Sequence, residues 1–192
     1  MIDINQLKKD IKDKFKHDHH RYQHIMGVYE TALAFATHYN VSLYDAAVAS
    51  LAHDLMKNES REKQTSYLSQ SDIDAYQKTP VMYHALSAAE VLKKEYHVSH
   101  NDILEAVRYH VWGKPNMTTL GKIIFISDYC EPNRTFTDIK IIRDLAYENL
   151  DQAVLYCMKL TIDEVREKKR EPHPDQWLAY TYYLEVKHGK TQ

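Results

Sequence analysis

Apolar residues recur along most of this chain at intervals of three and four, the spacing of a helix that buries one face. Ile4, Leu7, Ile11 and Phe15 show the pattern first. The predicted helices are residues 4–15, 25–39, 42–52, 81–96, 99–110, 118–128 and 175–186, a long amphipathic segment at 138–169, and one or two short surface helices within 58–79 that form a candidate lid. The pattern therefore predicts an all-α fold.

Residues that start or stop helices mark the ends of these segments. Ser42 is a candidate N-cap, and Pro80 suits the first turn of the helix that follows it. Ser99-His-Asn-Asp102 has the form of a capping box with Asp in place of Glu. Gly113-Lys-Pro-Asn predicts a loop.

The most apolar stretch of the chain is Ile123 to Ile126, and it is followed closely by an acid, Asp128. A short apolar run of this kind is compatible with a buried strand as well as with a helix. The helical segments on both sides favour the helix.

The composition supports long helices and narrows the function classes. Four glycines and five prolines in 192 residues leave few tight turns. The formal charge of −2, without a block of like charges, argues against a general nucleic-acid-binding surface. There is no apolar run of membrane-spanning length and no signal-peptide pattern at the N-terminus, so a cytoplasmic protein without membrane contact is expected. Two cysteines without a CxxC motif predict neither a disulfide framework nor a zinc knuckle.

Twelve histidines raise the expectation of a metal site, and their placement sharpens it. Six polar residues lie on or at the end of predicted core helices: His24, His53, Asp54, His84, His110 and Asp128. His53 and Asp54 directly follow an apolar run, where an unpaired carboxylate is costly to bury. Imidazole and carboxylate are good ligands of divalent metals, and helical bundles build metal sites from facing helices. The pattern therefore predicts one shared metal site.

Each of the six residues also has an ordinary structural explanation: a solvated pair, a buried histidine bonded to the backbone, a histidine at a helix C-terminus, or a capping aspartate. These explanations must hold on five separate helices together, whereas one shared site replaces them all. The cluster of His17, His19 and His20 provides a contrast. It repeats the dipeptide in His17-Asp18, but it lies among charged residues and is predicted to be a solvated helix junction.

Several motifs surround these residues. They are Arg21-Tyr-Gln-His24 with Gly27-Val28, Ala52-His-Asp54 with Lys57, His84, His110-Val-Trp-Gly113, Ile126-Ser-Asp128-Tyr-Cys-Glu131-Pro-Asn-Arg134, and His173-Pro174. Together they resemble the HD-domain metal-dependent phosphohydrolases, and within them the bacterial YqeK family of symmetrical diadenosine tetraphosphate hydrolases. The resemblance extends over residues 18–184. It implies a single HD-domain helical bundle over residues 1–192, with a helical core at 18–134 and C-terminal helices at 138–187 packed on it.

The resemblance also implies roles for individual residues. The metal ligands are His24, His53, Asp54 and Asp128, with iron as the expected divalent ion. Asp54, His84 and His110 form the catalytic set, and the last two bind phosphate, donate protons or hold a second metal. The substrate contacts are Arg21, Lys57, His84, His110, Gly113, Arg134 and His173. The reaction is hydrolysis of diadenosine tetraphosphate to two ADP, through attack on phosphorus by a hydroxide that the metal generates from water.

Other functions are compatible with the same residues. Another phosphohydrolase of the superfamily would act on nucleoside monophosphates or on guanosine alarmones. A non-catalytic nucleotide sensor would keep the pocket without turnover, although it does not need an open metal position. A structural helical adapter would leave the six inward polar residues unexplained. The fifteen tyrosines are compatible with a homodimer.

Overall fold

The computed structural model describes residues 2–189, and every regular element within this range is helical. The elements are α1 (Ile4–Lys14), α2 (His19–His38), α3 (Leu43–Ala52), α4 (Arg61–Thr65), α5 (Gln70–Tyr76), a 3₁₀ turn (Pro80–Met82), α6 (Tyr83–Lys94), α7 (Asn101–Arg108), α8 (Thr119–Cys130), α9 (Ile139–Glu148), α10 (Leu150–Glu167) and α11 (Pro174–Lys187). The all-α prediction is confirmed. Met1 and residues 190–192 of the predicted domain lie outside the described residues.

Helix α8 lies at the centre of the bundle and contacts α2, α3 and α7 on one side and α9 and α10 on the other. Ile123, Ile124, Phe125 and Ile126 are at most 1% exposed. Burial of each such side chain contributes about 1.5–3 kcal/mol to the stability of the fold. The apolar run is thus a buried helix rather than a strand, and Asp128 is placed in the last turn of that helix.

The C-terminal helices form a second group that packs on the core through α8. Helices α9 and α10 contact α8 and each other, and α11 packs on α10. The predicted continuous segment at 138–169 is wrong in one respect, because the chain breaks at Asn149. That residue is extended, with φ −156° and ψ 104°, and its side chain accepts a hydrogen bond from the backbone N–H of Gln152. Asn149 therefore ends α9 and caps α10.

Two other predicted helix ends differ from the structure. The capping box at Ser99–Asp102 is not formed, since His100 is the N-cap of α7 and makes no side-chain cap bond. Helix α7 also ends at Arg108, so His110 lies in the turn that follows rather than on the helix. A capping box occurs instead at the start of α11, where the His173 ring accepts a hydrogen bond from the backbone N–H of Asp175 and the backbone N–H of His173 donates one to the Gln176 side chain.

The polar stretch at 58–79 forms two short helices, as predicted. Helix α4 packs on α6, and the Tyr83 hydroxyl donates a hydrogen bond of 2.8 Å to the carbonyl of Ile73 in α5. The role of this stretch as a lid stays a prediction. Among the described helices, none combines the length and the hydropathy that crossing a membrane requires.

Candidate metal centre

All six predicted inward residues meet at one place in the bundle. His24 lies on α2, His84 on α6 and Asp128 in the last turn of α8, whereas His53, Asp54 and His110 lie in turns directly after α3 and α7. Five of them are buried, and Asp128 is partly exposed. The contrasting cluster of His17, His19 and His20 is exposed, as predicted.

The six side chains form two groups whose ligand atoms lie within 4.8 Å of one another: His24 with His53 and Asp128, and Asp54 with His84 and His110. In the first group, His24 Nε2 is 3.2 Å from Asp128 Oδ1 and 3.4 Å from His53 Nε2. In the second, His84 Nε2 is 3.2 Å from Asp54 Oδ1 and 3.2 Å from His110 Nε2.

The Asp54 carboxylate lies between the two groups. Its Oδ2 is 3.7 Å from the Nε2 atoms of both His24 and His53, while its Oδ1 faces the second group, 3.7 Å from His110 Nε2. A carboxylate has enough lone pairs to serve two neighbouring cations with one oxygen each. The arrangement thus has the form of a paired site in which Asp54 is shared.

The orientation of the four imidazoles fits metal binding. Three of them hold Nδ1 against the backbone carbonyl three residues earlier: His53 on Ser50 at 2.6 Å, His84 on Val81 at 2.5 Å and His110 on Val107 at 2.8 Å. His24 instead holds Nδ1 3.2 Å from the carboxylate of Glu131. A hydrogen bond donated by Nδ1 fixes the tautomer and turns the Nε2 lone pair into the site.

The contacts between Nε2 atoms, of His24 with His53 and of His84 with His110, also indicate metal binding. Two Nε2 atoms that face each other at 3.2–3.4 Å repel unless a proton or another cation lies between them. The donor set of imidazole nitrogens and carboxylate oxygens is one that transition metals and zinc prefer. The residues therefore fit a divalent metal in each group.

The electrostatics of the site favour the metal-binding protonation states of three of these groups: Asp54, Asp128 and His53. Burial would raise the pKa of the Asp54 carboxyl, but the nearby imidazoles, first of all His53, hold that pKa well below its usual value. Burial would likewise raise the pKa of Asp128, but the hydrogen bond with His24 lowers it. Burial lowers the pKa of His53 to about 4. Anionic carboxylates and a neutral imidazole are the forms that act as ligands.

Three predicted substrate contacts are cations at the edge of the site. Arg21 Nη1 is 2.5 Å from Asp54 Oδ2, and Arg134 Nη2 is 2.9 Å from Asp128 Oδ1. Lys57 Nζ is 3.9 Å from Asp54 Oδ1. All three side chains remain partly exposed, so they can also contact a ligand that approaches from solvent.

A cleft of about 610 Å³ opens beside these residues. It reaches both groups, through His110 and Asp128, and two of the cations, Lys57 and Arg134. Its remaining walls combine apolar side chains with polar ones that include two acids; the apolar ones are Val81, Val111, Trp112, Phe136 and Leu160, and the acids are Asp138 and Glu164.

Two predicted substrate contacts, Gly113 and His173, lie outside the two metal groups and have structural roles of their own. Gly113 has a φ of +72° and lies against Met158. The His173 ring packs against the rings of Tyr76 and Trp112, with both centroids at 5.1 Å, and His173 caps α11. Whether either residue also contacts substrate stays a prediction.

Sequence reasoning missed Glu131 as a site residue, although the residue belongs to one of the matching motifs. Glu131 is 2% exposed, and its carboxylate contacts His24. A Cβ on Gly27 would lie only 2.4 Å from Glu131 Oε2. The available signal was the acid three residues after Asp128, at the end of a buried helix.

Comparison with known proteins supports the same interpretation. The HD domain family model matches residues 21–133. The chain is 34% identical over 167 residues to the symmetrical bis(5'-nucleosyl)-tetraphosphatase of Bacillus subtilis, which covers 86% of this chain and 90% of that protein. The protein of the same description from Halalkalibacterium halodurans is 37% identical over 169 residues, which covers 86% and 89%.

A solved structure extends the match to the fold. It is described as a predicted HD superfamily hydrolase involved in NAD metabolism from Clostridium acetobutylicum, and it is 30% identical with a TM-score of 0.87. The alignment covers 97% of this chain and 99% of that one. The chain therefore belongs to the HD domain family, and within it to the YqeK-type group that its sequence motifs predicted.

Proposed function

We propose that this protein hydrolyses dinucleoside tetraphosphates symmetrically and converts diadenosine tetraphosphate to two ADP. The observation that carries the proposal is the shared Asp54 between two ligand groups, next to a cleft edged by cations. Relatives that match most of this chain are described as symmetrical bis(5'-nucleosyl)-tetraphosphatases, which supports the same substrate class.

In this proposal His24, His53 and Asp128 would hold one divalent metal and His84 and His110 a second, with one Asp54 oxygen available to each group. Iron is the proposed ion. The metals supply Lewis acidity, which polarises a phosphoryl oxygen and lowers the pKa of water. The hydrogen-bond partners of the Nδ1 atoms keep each imidazole in one tautomer. The packing of the bundle excludes bulk water from the five buried side chains.

The cations at the edge serve the phosphate chain. Phosphoryl transfer needs the charge on the phosphate oxygens to be neutralised and the reacting groups to be aligned. Arg21 and Arg134 can bind phosphate oxygens with two donors each, and Lys57 acts as a point charge. The apolar walls of the cleft suit a nucleoside, so the cleft and the cations together fit a nucleotide whose phosphates reach the ligand groups.

The test is product analysis on a nucleotide panel that contains diadenosine tetraphosphate, nucleoside monophosphates and guanosine alarmones. We expect ADP from the first substrate and little turnover of the others. His53→Ala should reduce turnover by several orders of magnitude, because it removes a ligand of an essential metal. His17→Ala is the matched control, since it changes the exposed histidine of the other His-Asp pair and should retain wild-type turnover.

The panel also separates the alternatives. Preferred release of phosphate from monophosphates, or of pyrophosphate from alarmones, would show another phosphohydrolase activity. Binding without turnover in metal-loaded protein would show a nucleotide sensor. Near-normal turnover by folded His53→Ala would contradict the metal mechanism. Metal analysis of protein purified without chelator tests for iron, while the homodimer, the cytoplasmic location and the lack of nucleic-acid binding stay predictions.

A further inference from the structure

The four imidazoles of the site differ in what holds their Nδ1 atoms. His53, His84 and His110 each use a neutral backbone carbonyl, whereas His24 uses the carboxylate of Glu131. We propose that Glu131 is a positioning residue that orients His24 and selectively strengthens metal binding at the position formed by His24, His53 and Asp128. This inference rests on the metal centre of the proposed function.

Contacts with His24, Asn133 and Arg143 hold Glu131 in place. Its Oε1 is 3.2 Å from His24 Nδ1, and its Oε2 accepts hydrogen bonds from the backbone N–H of Asn133 at 2.7 Å and from the Asn133 side chain at 3.0 Å. Arg143 donates to the carbonyls of Cys130 and Glu131 at 3.0 and 2.9 Å. These contacts hold the carboxylate with Oε1 directed at Nδ1 of the His24 ring.

Gly27 provides the space for this carboxylate. A Cβ at Gly27 would lie 2.4 Å from Glu131 Oε2 and 3.2 Å from its Cδ, both too close for van der Waals contact. Glycine is unfavourable inside a helix, and Gly27 lies in the middle of α2. The room made for Glu131 explains why α2 carries a glycine one turn after His24.

A carboxylate behind an imidazole changes the ligand on its other side. It fixes the tautomer with the proton on Nδ1, and it makes Nε2 a more basic donor than a carbonyl partner does. Loss of such a partner typically weakens metal binding by 10- to 100-fold. Because Glu131 contacts only one of the four imidazoles, the effect should be confined to one of the two metal positions.

The experiment measures stepwise cobalt(II) affinity. Full-length protein is stripped with a chelator, and cobalt(II) is titrated in competition with a chelating dye. In Glu131→Gln we expect one ion to bind 10- to 100-fold more weakly than in the wild type, while the other stays within twofold. Glu30→Gln, which changes an exposed carboxylate on the same helix as His24, should bind both ions like the wild type.

Gly27→Ala provides an independent test that removes no polar group. Its methyl group should displace the Glu131 carboxylate and reproduce the selective loss. It also keeps the inference testable if Glu131→Gln does not fold. Wild-type affinities in folded Glu131→Gln, an equal loss at both positions, or wild-type binding by Gly27→Ala would each overturn the inference. Wild-type protein that binds no cobalt(II) would instead contradict the proposed metal centre itself.

Discussion

At the scale of single residues, His53 shows how burial prepares a ligand. Its ring is 0% exposed, and Nδ1 donates a hydrogen bond to the Ser50 carbonyl. Burial lowers the pKa of this imidazole to about 4, compared with 6.5 in an unfolded chain. The neutral ring that a metal needs is therefore maintained by the fold at any pH near neutrality.

This shift predicts a pH dependence of stability in metal-free protein. The unfolded chain binds the proton first as the pH falls, so the contribution of His53 is complete above pH 6.5 and is lost progressively down to about pH 4. The full loss is about 3 kcal/mol, at about 1.4 kcal/mol for each pH unit. Urea unfolding of chelator-treated protein at several pH values measures it, and His53→Gln should flatten the curve across this window.

Variants must be compared with the wild type because His24 has the opposite effect on how stability depends on pH. Burial lowers the pKa of His24, but the hydrogen bond with Asp128 and the negative charges of Asp128 and Asp54 together outweigh burial and raise it. The contribution of His24 is therefore complete below pH 6.5 and is lost as the pH rises through the folded pKa. His17→Gln, at an exposed position, should keep the wild-type slope. Equal slopes for His53→Gln and the wild type would contradict the predicted role of His53.

The same residues show how far sequence reasoning reaches. His53 and Asp54 could be predicted because an apolar run precedes them, and the His17-Asp18 pair, whose histidine is exposed, shows that adjacency alone carries no such information. Glu131 could not be placed in the same way. Its role depends on the distance between α2 and the end of α8, and that distance is set by packing rather than by spacing along the chain.

At the scale of elements, the loop that follows His110 is fixed by packing against the C-terminal helices. Gly113 has a φ of +72°, and a Cβ there would lie 2.4 Å from Met158 Cε on α10. The hydroxyl of Tyr183 on α11 accepts a hydrogen bond of 3.1 Å from the backbone N–H of Met117. The C-terminal helices thus support the turn that carries a site histidine.

Gly113→Ala should therefore destabilise the protein by about 2–4 kcal/mol, since it combines left-handed backbone strain with overpacking. Gly189→Ala is the matched control. Gly189 also has a positive φ, of +67°, but among the described residues a Cβ there would meet nothing within 4 Å. Urea unfolding at neutral pH should give the control variant the smaller loss. Equal losses of stability in the two variants would mean that the Met158 side chain moves aside at little cost and that backbone strain alone causes the destabilisation.

Element boundaries are where the sequence was least informative. The apolar pattern continues from residue 138 to 169, yet the extended backbone of Asn149 divides it into α9 and α10. An asparagine within an amphipathic pattern is compatible with a helix interior as well as with a cap. The choice is made by the packing of both helices on α8, which a periodic pattern does not encode.

At the scale of the whole molecule, the site is a meeting point of distant segments. Its six candidate ligands come from α2, from the turn after α3, from α6, from the turn after α7 and from α8. The unfolded chain cannot hold these groups together. A metal that binds the centre therefore binds the folded state almost exclusively, and metal binding and folding are linked.

Linkage predicts that metal raises the melting temperature of this protein. Cobalt(II) at 100 times the dissociation constant of one position of the centre should stabilise the fold by about 2.7 kcal/mol through that position. For a chain of 192 residues, this corresponds to a rise of about 5–11 °C, measured by thermal unfolding of stripped and reloaded protein. Calcium, which prefers all-oxygen sites, should give a smaller rise. His53→Ala should lose the contribution of the position formed by His24, His53 and Asp128. An equal rise in His53→Ala would show that the stabilising metal does not bind at that position, and it would contradict the assignment of His53 as a ligand.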